Sequence, residues 1–452
     1  MKPRRGADVL RHAVTLAVLV AAAFLVEQVA ITGSPVGHLT MLVGLMLIAG
    51  GVAGRLAVSV ALPRLTGYIL VGMAVGPSVL GVLDAEVIHD LRFLDRFALA
   101  LIGLLAGGEL RMERMRDAAL SIGTTTAAVT AVVAAGIALA TFAGRGLVPF
   151  FSGLDPGGAI AIAVLLGIWA ANSSPDLTVA VMEEVGAHGP LSDVILGVTI
   201  VKDMVVILLF SVGLAVVESL TSPDVRFGAH VLADVAVELG GAIVAGAGLG
   251  WVFSRFLSAA RGRRSPMATF LFAYVMVAVA EGLHLELLIL AVSAGFLIEN
   301  RSPAGDRLIR DVRSLAVAVF AFFFAVAGAS FDLGVAGTFW LPALLFFLIR
   351  TALTFGGARL GLRLAGRPGA VGGRVGLGLV SQGGVTLGLL LLLEAIPVVG
   401  PPLVGFGMAV VLANVLVGPV LLKAALTRPA APGASILPNA AGTPLEQPGR
   451  PA

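Results

Sequence analysis

Lys202 and Asp203 stand side by side inside an otherwise apolar stretch, ILGVTIVKDMVVILLFSVGLAVV. Counted from Leu191 to Val217, the pair lies about 16–18 Å into the run, close to the middle of a ~30 Å hydrocarbon layer. Holding a charge at that depth costs between roughly 2.5 and 17 kcal/mol, so such residues are kept for a task. A carboxylate there reads first as a group that handles ions or protons. Burial disfavours its ionised form and a nearby cation favours it, so it can hold a proton or a metal cation but not both. That competition alone suffices for exchange. The plainer alternative is a self-neutralised structural pair. Against it, neighbouring helical residues point about 100° apart, and each charge needs its own partner.

Two further polar interruptions fall in apolar runs. In GIWAANSSPDLTVAVMEEVG, the residues Asn172, Ser173, Ser174, Pro175 and Asp176 break the pattern at mid-span depth. Proline removes a backbone donor and restricts its predecessor, which predicts an unwound segment near Ser174. Unwound backbone in a membrane must be buried in protein or line a wet cavity, where its half-helix ends attract ions. Asp176 is placed to offset the positive end of the second half-helix. In RVGLGLVSQGGVTLGLLLLLE, the residues Ser381, Gln382, Gly383 and Gly384 do the same in a later span. Taken singly, a local kink with Asp176 as its cap, or glycine packing, would explain each. Arg350, in LPALLFFLIRTALTF, is the other cation set in an apolar run, and it is a candidate to balance Asp203 or Asp176. Arginine stays protonated, so it would tune a carboxylate without carrying the proton.

The elements that must position these groups are membrane helices. The 452 residues are 58% hydrophobic and 13% charged, where a soluble protein has about 25% charged residues. Fourteen apolar stretches follow one another, at 10–31, 39–61, 65–82, 93–110, 118–144, 157–185, 191–217, 228–255, 266–283, 285–299, 312–332, 338–363, 373–396 and 402–424. The 285–299 stretch is short, which sets the count at 13 to 14 helices. Alternating them from a cytoplasmic N-terminus collects Arg111, Arg114, Arg116, Arg255, Arg261, Arg263, Arg264, Arg301, Arg307, Arg310, Arg313, Arg359, Arg363, Arg367 and Arg374 on the cytoplasmic side. Only Arg92, Arg96, Arg145 and Arg226 fall on the other. Both termini are therefore expected in the cytoplasm, with the protein in the cell (inner) membrane.

The interruptions lie in the sixth and thirteenth spans, which run in opposite directions. Paired broken helices in an inverted repeat point to a secondary-transporter site. The N-terminal stretch resembles a signal peptide, but no small-x-small cleavage site follows, so a retained helix is expected. Residues 1–37 then form the N-terminus and an extra first helix, 38–427 the transport domain, and 428–452 a Pro/Ala/Gly-rich tail expected to be disordered. No cysteine is present, the six histidines are scattered, and no Gly-rich nucleotide fingerprint follows residue 424. No cofactor, resident metal, nucleic-acid partner or enzyme activity is expected.

Six segments carry a family resemblance. TGYILVGMAVGPSVLG, LLAGGELRMERMR, NSSPDLTVAVMEEVG, IVKDMVVILL, FAFFFAVAGASFDL and GLGLVSQGG, in this order over about residues 39–424, resemble core helices of the monovalent cation:proton antiporter superfamily, particularly its Kef/NapA-like branch. The resemblance implies a homodimer with a scaffold and a mobile core that work by elevator-like movement, exchanging Na⁺ or K⁺ for H⁺. It makes Asp203 the ion- and proton-binding carboxylate, with Ser173, Ser174 and Asp176 at the crossover facing Gln382. Three departures stand out. Lys202 occupies a position usually Asp, Asn or Gln; Val385 replaces a Glu that often follows the Gly-Gly; and the regulatory nucleotide-binding domain of the Kef systems is not found. Lys202 therefore reads as a fixed internal cation, as a second titrating group, or as a sign that the substrate is an organic solute or anion. A membrane sensor or scaffold that transports nothing is the remaining alternative.

Overall fold

The computed structural model describes residues 12–16, 18, 35–147, 151, 154–221, 229–259, 266–302, 305–367, 369–393 and 400–428. Most of the expected first helix and the tail after Arg428 lie outside the described residues. The other thirteen expected spans are all helical, and no strand occurs among the described residues. In chain order the helices are α1 (Pro35–Ser59), α2 (Arg64–Val75), α3 (Ala85–Asp90), α4 (Arg92–Glu109), α5 (Met112–Ala143), α6 (Pro156–Ala170), α7 (Pro175–Val185), α8 (Pro190–Thr221) and α9 (Ala229–Ala259). They continue with α10 (Pro266–Gly282), α11 (Leu287–Arg301), α12 (Gly305–Ala329), α13 (Leu333–Thr338), α14 (Trp340–Leu364), α15 (Gly369–Gly378), α16 (Gly384–Leu392) and α17 (Gly400–Thr427).

Local chemistry sets many of these boundaries. Asp155 caps α6, its carboxylate accepting from the N–H groups of Gly157 and Gly158, with Pro156 in the first turn. Ser174 and Pro175 open α7 in the same way, and Gly186 closes it in the left-handed conformation that glycine adopts without strain. Seven stretches among the described residues have the length and hydropathy to cross a membrane, including Pro156–Val185, Pro190–Leu214 and Gly400–Thr427. Large apolar side chains such as Val244, Trp251, Leu271 and Leu348 face outward, as they do in a protein solvated by lipid. The chain is a multi-pass membrane protein.

Two triplets of helices organise the centre. α5 packs on α6 and α8, which pack on each other; α14 packs on α15 and α17, which also pack on each other. Each triplet thus holds one interrupted helix, α6–α7 or α15–α16, between long ones. α5 and α14 form the seam, where a Cβ at Gly361 would lie 2.4 Å from the Thr125 Cα. Glycine permits the same close approach between α4 and α11, where a Cβ on Gly107 would lie 2.0 Å from the Val292 carbonyl. A separate apolar cluster, including Met46, Val75, Leu83 and Phe322, joins α1, α2, α3 and α12.

An ionic layer marks one end of the bundle. Arg313 on α12 bridges Glu109 at the end of α4 and Glu183 near the end of α7. Lys423 on α17 pairs with Glu184 at 3.0 Å, and the His188 ring lies 3.2 Å from Glu109. Arg114 lies 3.8 Å from Asp193, and Arg111 3.4 Å from Glu299. These groups join the start of α5, the start of α8 and the end of α11 on one face, which is the arginine-rich face expected in the cytoplasm. A cavity of about 180 Å³ opens there between Arg64, Tyr68, Glu183, Glu184 and Arg313.

Candidate ion site

The two breaks meet. α6 stops at Ala170 and α7 starts after Ser174; α15 stops at Gly378 and α16 starts after Gly383. The Ser174 amide donates to the Ser381 carbonyl at 2.9 Å, so a backbone hydrogen bond ties one break to the other. The Trp169 indole N–H donates to the Thr386 carbonyl at 2.9 Å, and the Asn172 amide to the Thr386 Oγ1 at 3.2 Å. Asn172, Ser173, Ser174, Asp176, Lys202, Asp203, Arg350, Ser381 and Gln382 are all buried, none more than 2% exposed. Every polar position singled out in the sequence is therefore drawn into one buried cluster.

Four C-terminal carbonyls of broken helices would be expensive to bury without donors. Arg350 supplies most of the donors. Its Nε donates to the Ala170 carbonyl at 2.7 Å, one terminal nitrogen to the Asn172 carbonyl at 2.6 Å, and the other to the Val380 carbonyl and Asn414 Oδ1, each at 2.7 Å. The guanidinium thus sits where the negative ends of α6 and α15 converge. This corrects the expectation that Arg350 balances Asp203 or Asp176, since it forms an ion pair with neither. A planar fork of N–H groups fits several converging carbonyls, and the two breaks supply them.

Lys202 and Asp203 part company, as their spacing requires. The Lys202 ammonium donates to the Ser173 Oγ at 2.5 Å, and that hydroxyl donates to the Leu379 carbonyl, also at 2.5 Å. Lysine thereby links α8 through α6–α7 to the second break. Neither carboxylate oxygen of Asp203 has a hydrogen-bond partner. The Asn172 side chain stands beside it, and the charges of Glu286, Asp176 and Lys202 act on it. Asp176 Oδ1 accepts from the Ser174 hydroxyl, which also caps α7 through the Leu177 amide at 3.1 Å. Its other oxygen faces the start of α16, 3.0 Å from where a Cβ on Gly383 would lie. That oxygen makes no hydrogen bond, so the one carboxylate faces two half-helix N-termini while bonding at one, where only one had been expected.

Gln382 reaches the Ala170 carbonyl at a long 3.5 Å and leaves its own Oε1 unpartnered, as does the Ser381 hydroxyl. Thr386, Asn414 and Trp169 join the cluster without having been singled out. Asn414, a lone amide in the apolar run VVLANVLVG, carried a signal that a scan for mid-span polar residues would register. Thr386 and Trp169 carried none, because threonine and tryptophan are ordinary membrane-helix residues.

Two interrupted helices crossing at mid-bundle, with freed backbone ends and an unpartnered buried carboxylate, define a secondary-transporter fold. The sequence matches the transmembrane sodium/hydrogen exchanger family over residues 14–428, and the chain belongs to that family. It is accordingly an antiporter of the sodium/proton-exchanger type and not an enzyme. Among relatives, the probable Na⁺/H⁺ antiporter GerT of Bacillus cereus is 23% identical over 328 residues, or 72% of this chain and 82% of its own. A structure of the sodium proton antiporter MjNhaP1 from Methanocaldococcus jannaschii superposes with a TM-score of 0.59 at 16% identity, covering 86% of this chain and 98% of that one. An electron-microscopy structure of the same antiporter gives 0.65 at 15% identity, covering 85% and 95%. The superfamily resemblance carried by the six motifs is borne out.

Proposed function

We propose that this antiporter exchanges a monovalent cation, Na⁺ or K⁺, for H⁺ at Asp203. The observation that carries the reading is the Asp203 carboxylate itself, 1% exposed and with both oxygens unpartnered. A buried carboxylate without donors is tolerable only when it holds a proton or a bound cation, and these are the two loaded states of an exchanger. Asn172, Ser174 and Asp176 supply neutral and charged oxygens around the crossing. The seam between α5 and α14 joins the two triplets into one body, which supports elevator-like movement of this core against a scaffold. The arginine-rich ionic layer supports a cytoplasmic placement for that face and for both termini, in the inner membrane; the family resemblance implies a homodimer. With Asp203 the one buried carboxylate unpartnered at both oxygens among the described residues, and Lys202 held on Ser173, the exchange is one proton per cation.

The test is a fluorescent pH assay in inverted vesicles. Adding Na⁺ or K⁺ should collapse an imposed proton gradient with the native chain and leave it standing with Asp203→Asn at equal levels of folded protein. Equal dissipation by native and Asp203→Asn chains would overturn the reading. A second reading rests on the Lys202–Ser173 hydrogen bond. There the ammonium occupies an oxygen that a metal cation would need, and the substrate is an organic solute or anion. Thermal stabilisation by such a solute, without Na⁺, K⁺ or pH dependence, would favour it.

A further inference from the structure

Two side chains that could donate a hydrogen bond to Asp203 stand beside it, Asn172 and its sequence neighbour Lys202, and both spend their donors elsewhere. The Lys202 ammonium goes to the Ser173 Oγ at 2.5 Å. That bond, made where α8 packs on α6, also brings the next residue along, Asp203, level with the preceding one, Asn172. The orientation of the Asn172 amide is fixed by its own surroundings. The Ser173 backbone N–H can only donate, so the atom it reaches at 2.8 Å is the Asn172 oxygen. The nitrogen is turned the other way, and it donates to the Thr386 Oγ1 at 3.2 Å.

Thr386 is well mounted to receive it. It lies in the first turn of α16, and its carbonyl accepts from the Trp169 indole at 2.9 Å. The last turn of α6 thus holds the backbone from which the Thr386 hydroxyl reaches across to the first break. A β-branched side chain is stiff about its first torsion, which keeps that hydroxyl aimed. Asn172 and Thr386 are both 0% exposed, so bulk water cannot replace either partner. A buried amide N–H that loses its acceptor is costly, and it turns to whatever acceptor is near. Beside Asn172 that acceptor is the Asp203 carboxylate. A hydrogen bond to an ionised acceptor is about twice as strong as a neutral one, so an amide turned onto Asp203 would compete with a cation for the same oxygens.

We propose that Thr386 is a positioning residue for exchange: by accepting the Asn172 amide across the two breaks, it keeps the Asp203 carboxylate free to take a cation or a proton. The inference rests on the reading of Asp203 as the exchange site. It gives the second broken helix a hand in the cation affinity of a group carried on α8. It also accounts for both oxygens of Asp203 lacking a partner although an amide stands beside them.

Exchange by full-length protein in proteoliposomes, titrated with Na⁺ and then with K⁺, tests this. Thr386→Val keeps the shape and stiffness of the side chain and removes the acceptor. It should raise the half-saturating cation concentration by about fivefold or more and keep the rate at saturating cation within about twofold of native. Thr386→Ser, which keeps the oxygen, should return the half-saturating concentration to near the native value. An unchanged or lowered half-saturating concentration in Thr386→Val would overturn the positioning role, while an inactive Asp203→Asn left the exchange site standing. A fall in maximal rate alone, with serine giving no rescue, would mark Thr386 as structural and would overturn it too. Normal exchange by Asp203→Asn would instead remove the reading beneath it. Should Thr386→Val not fold, Thr386→Ala carries the same expectation, and failure of both to fold would show that the residue serves the fold and overturn the proposal.

Discussion

Replacing Arg350 by methionine should loosen the crossing more than any other single change, because one guanidinium donates four hydrogen bonds to groups from three chain segments. Methionine keeps the volume and the apolar stem but leaves three backbone carbonyls and the Asn414 side chain without that donor. Hydrogen bonds between membrane helices average about 0.6 kcal/mol and reach about 1.7, so four of them amount to roughly 2.4–7 kcal/mol. The charged donor places Arg350 toward the upper part of that range. Unfolding entropy of about 2.1 cal/mol/K per residue gives roughly 0.9 kcal/mol/K for a chain of this length, so the melting temperature should fall by about 3–8 °C. Lysine at this position offers three donors from a single point and can satisfy about half of the acceptors, so Arg350→Lys should fall between. The assay is thermal unfolding of purified protein in detergent, with vesicle exchange on the same preparations. An Arg350→Met chain that melts within about 1 °C of the native one and exchanges at the native rate would refute the idea that this residue pins the two breaks.

Three other outcomes follow from the same geometry. Lys202→Gln should keep exchange and lower the half-saturating cation concentration by about three- to tenfold, because it removes a charge beside the site and releases Ser173 Oγ; vesicle titration that finds no exchange would instead make Lys202 a partner in the proton cycle. Gly383→Ala should leave a folded chain that exchanges at least about tenfold more slowly. Its Cβ would lie 2.5 Å from the Ser174 Oγ that caps α7 and 3.0 Å from Asp176 Oδ2; native rates in vesicles would sink the idea that this backbone approach matters. Arg313→Gln should cost only about 1–2 kcal/mol, since Arg313 is partly exposed although it separates Glu109 from Glu183. Detergent melting should therefore drop by no more than about 2 °C, a smaller shift than for Arg350→Met, and the reverse order would contradict the burial argument.

Much of the fold was legible because membrane helices announce themselves one at a time. Apolar length sets each span, and Ser174-Pro175 and Gln382-Gly383-Gly384 mark the candidate breaks by local chemistry. Lys202 and Asp203 were legible as a problem, two charges at a depth that forbids idle ones. Their partners were not. Arg350 was read as a counter-ion because charge invites charge, yet three carbonyls left over by the helix breaks and the Asn414 side chain claimed it first.

The sequence by itself determined the class of this protein: its spans, their interruptions, and the need for a task at Asp203. These follow from hydropathy and backbone chemistry, which act over a few residues. Only the tertiary structure decided who satisfies whom. It brought Ser174 to Ser381, Lys202 to Ser173 and Arg350 to both half-helix ends, and it left both Asp203 oxygens without a hydrogen bond. Pairings between residues tens or hundreds of positions apart depend on which helices pack together, and apolar patterning leaves that choice open.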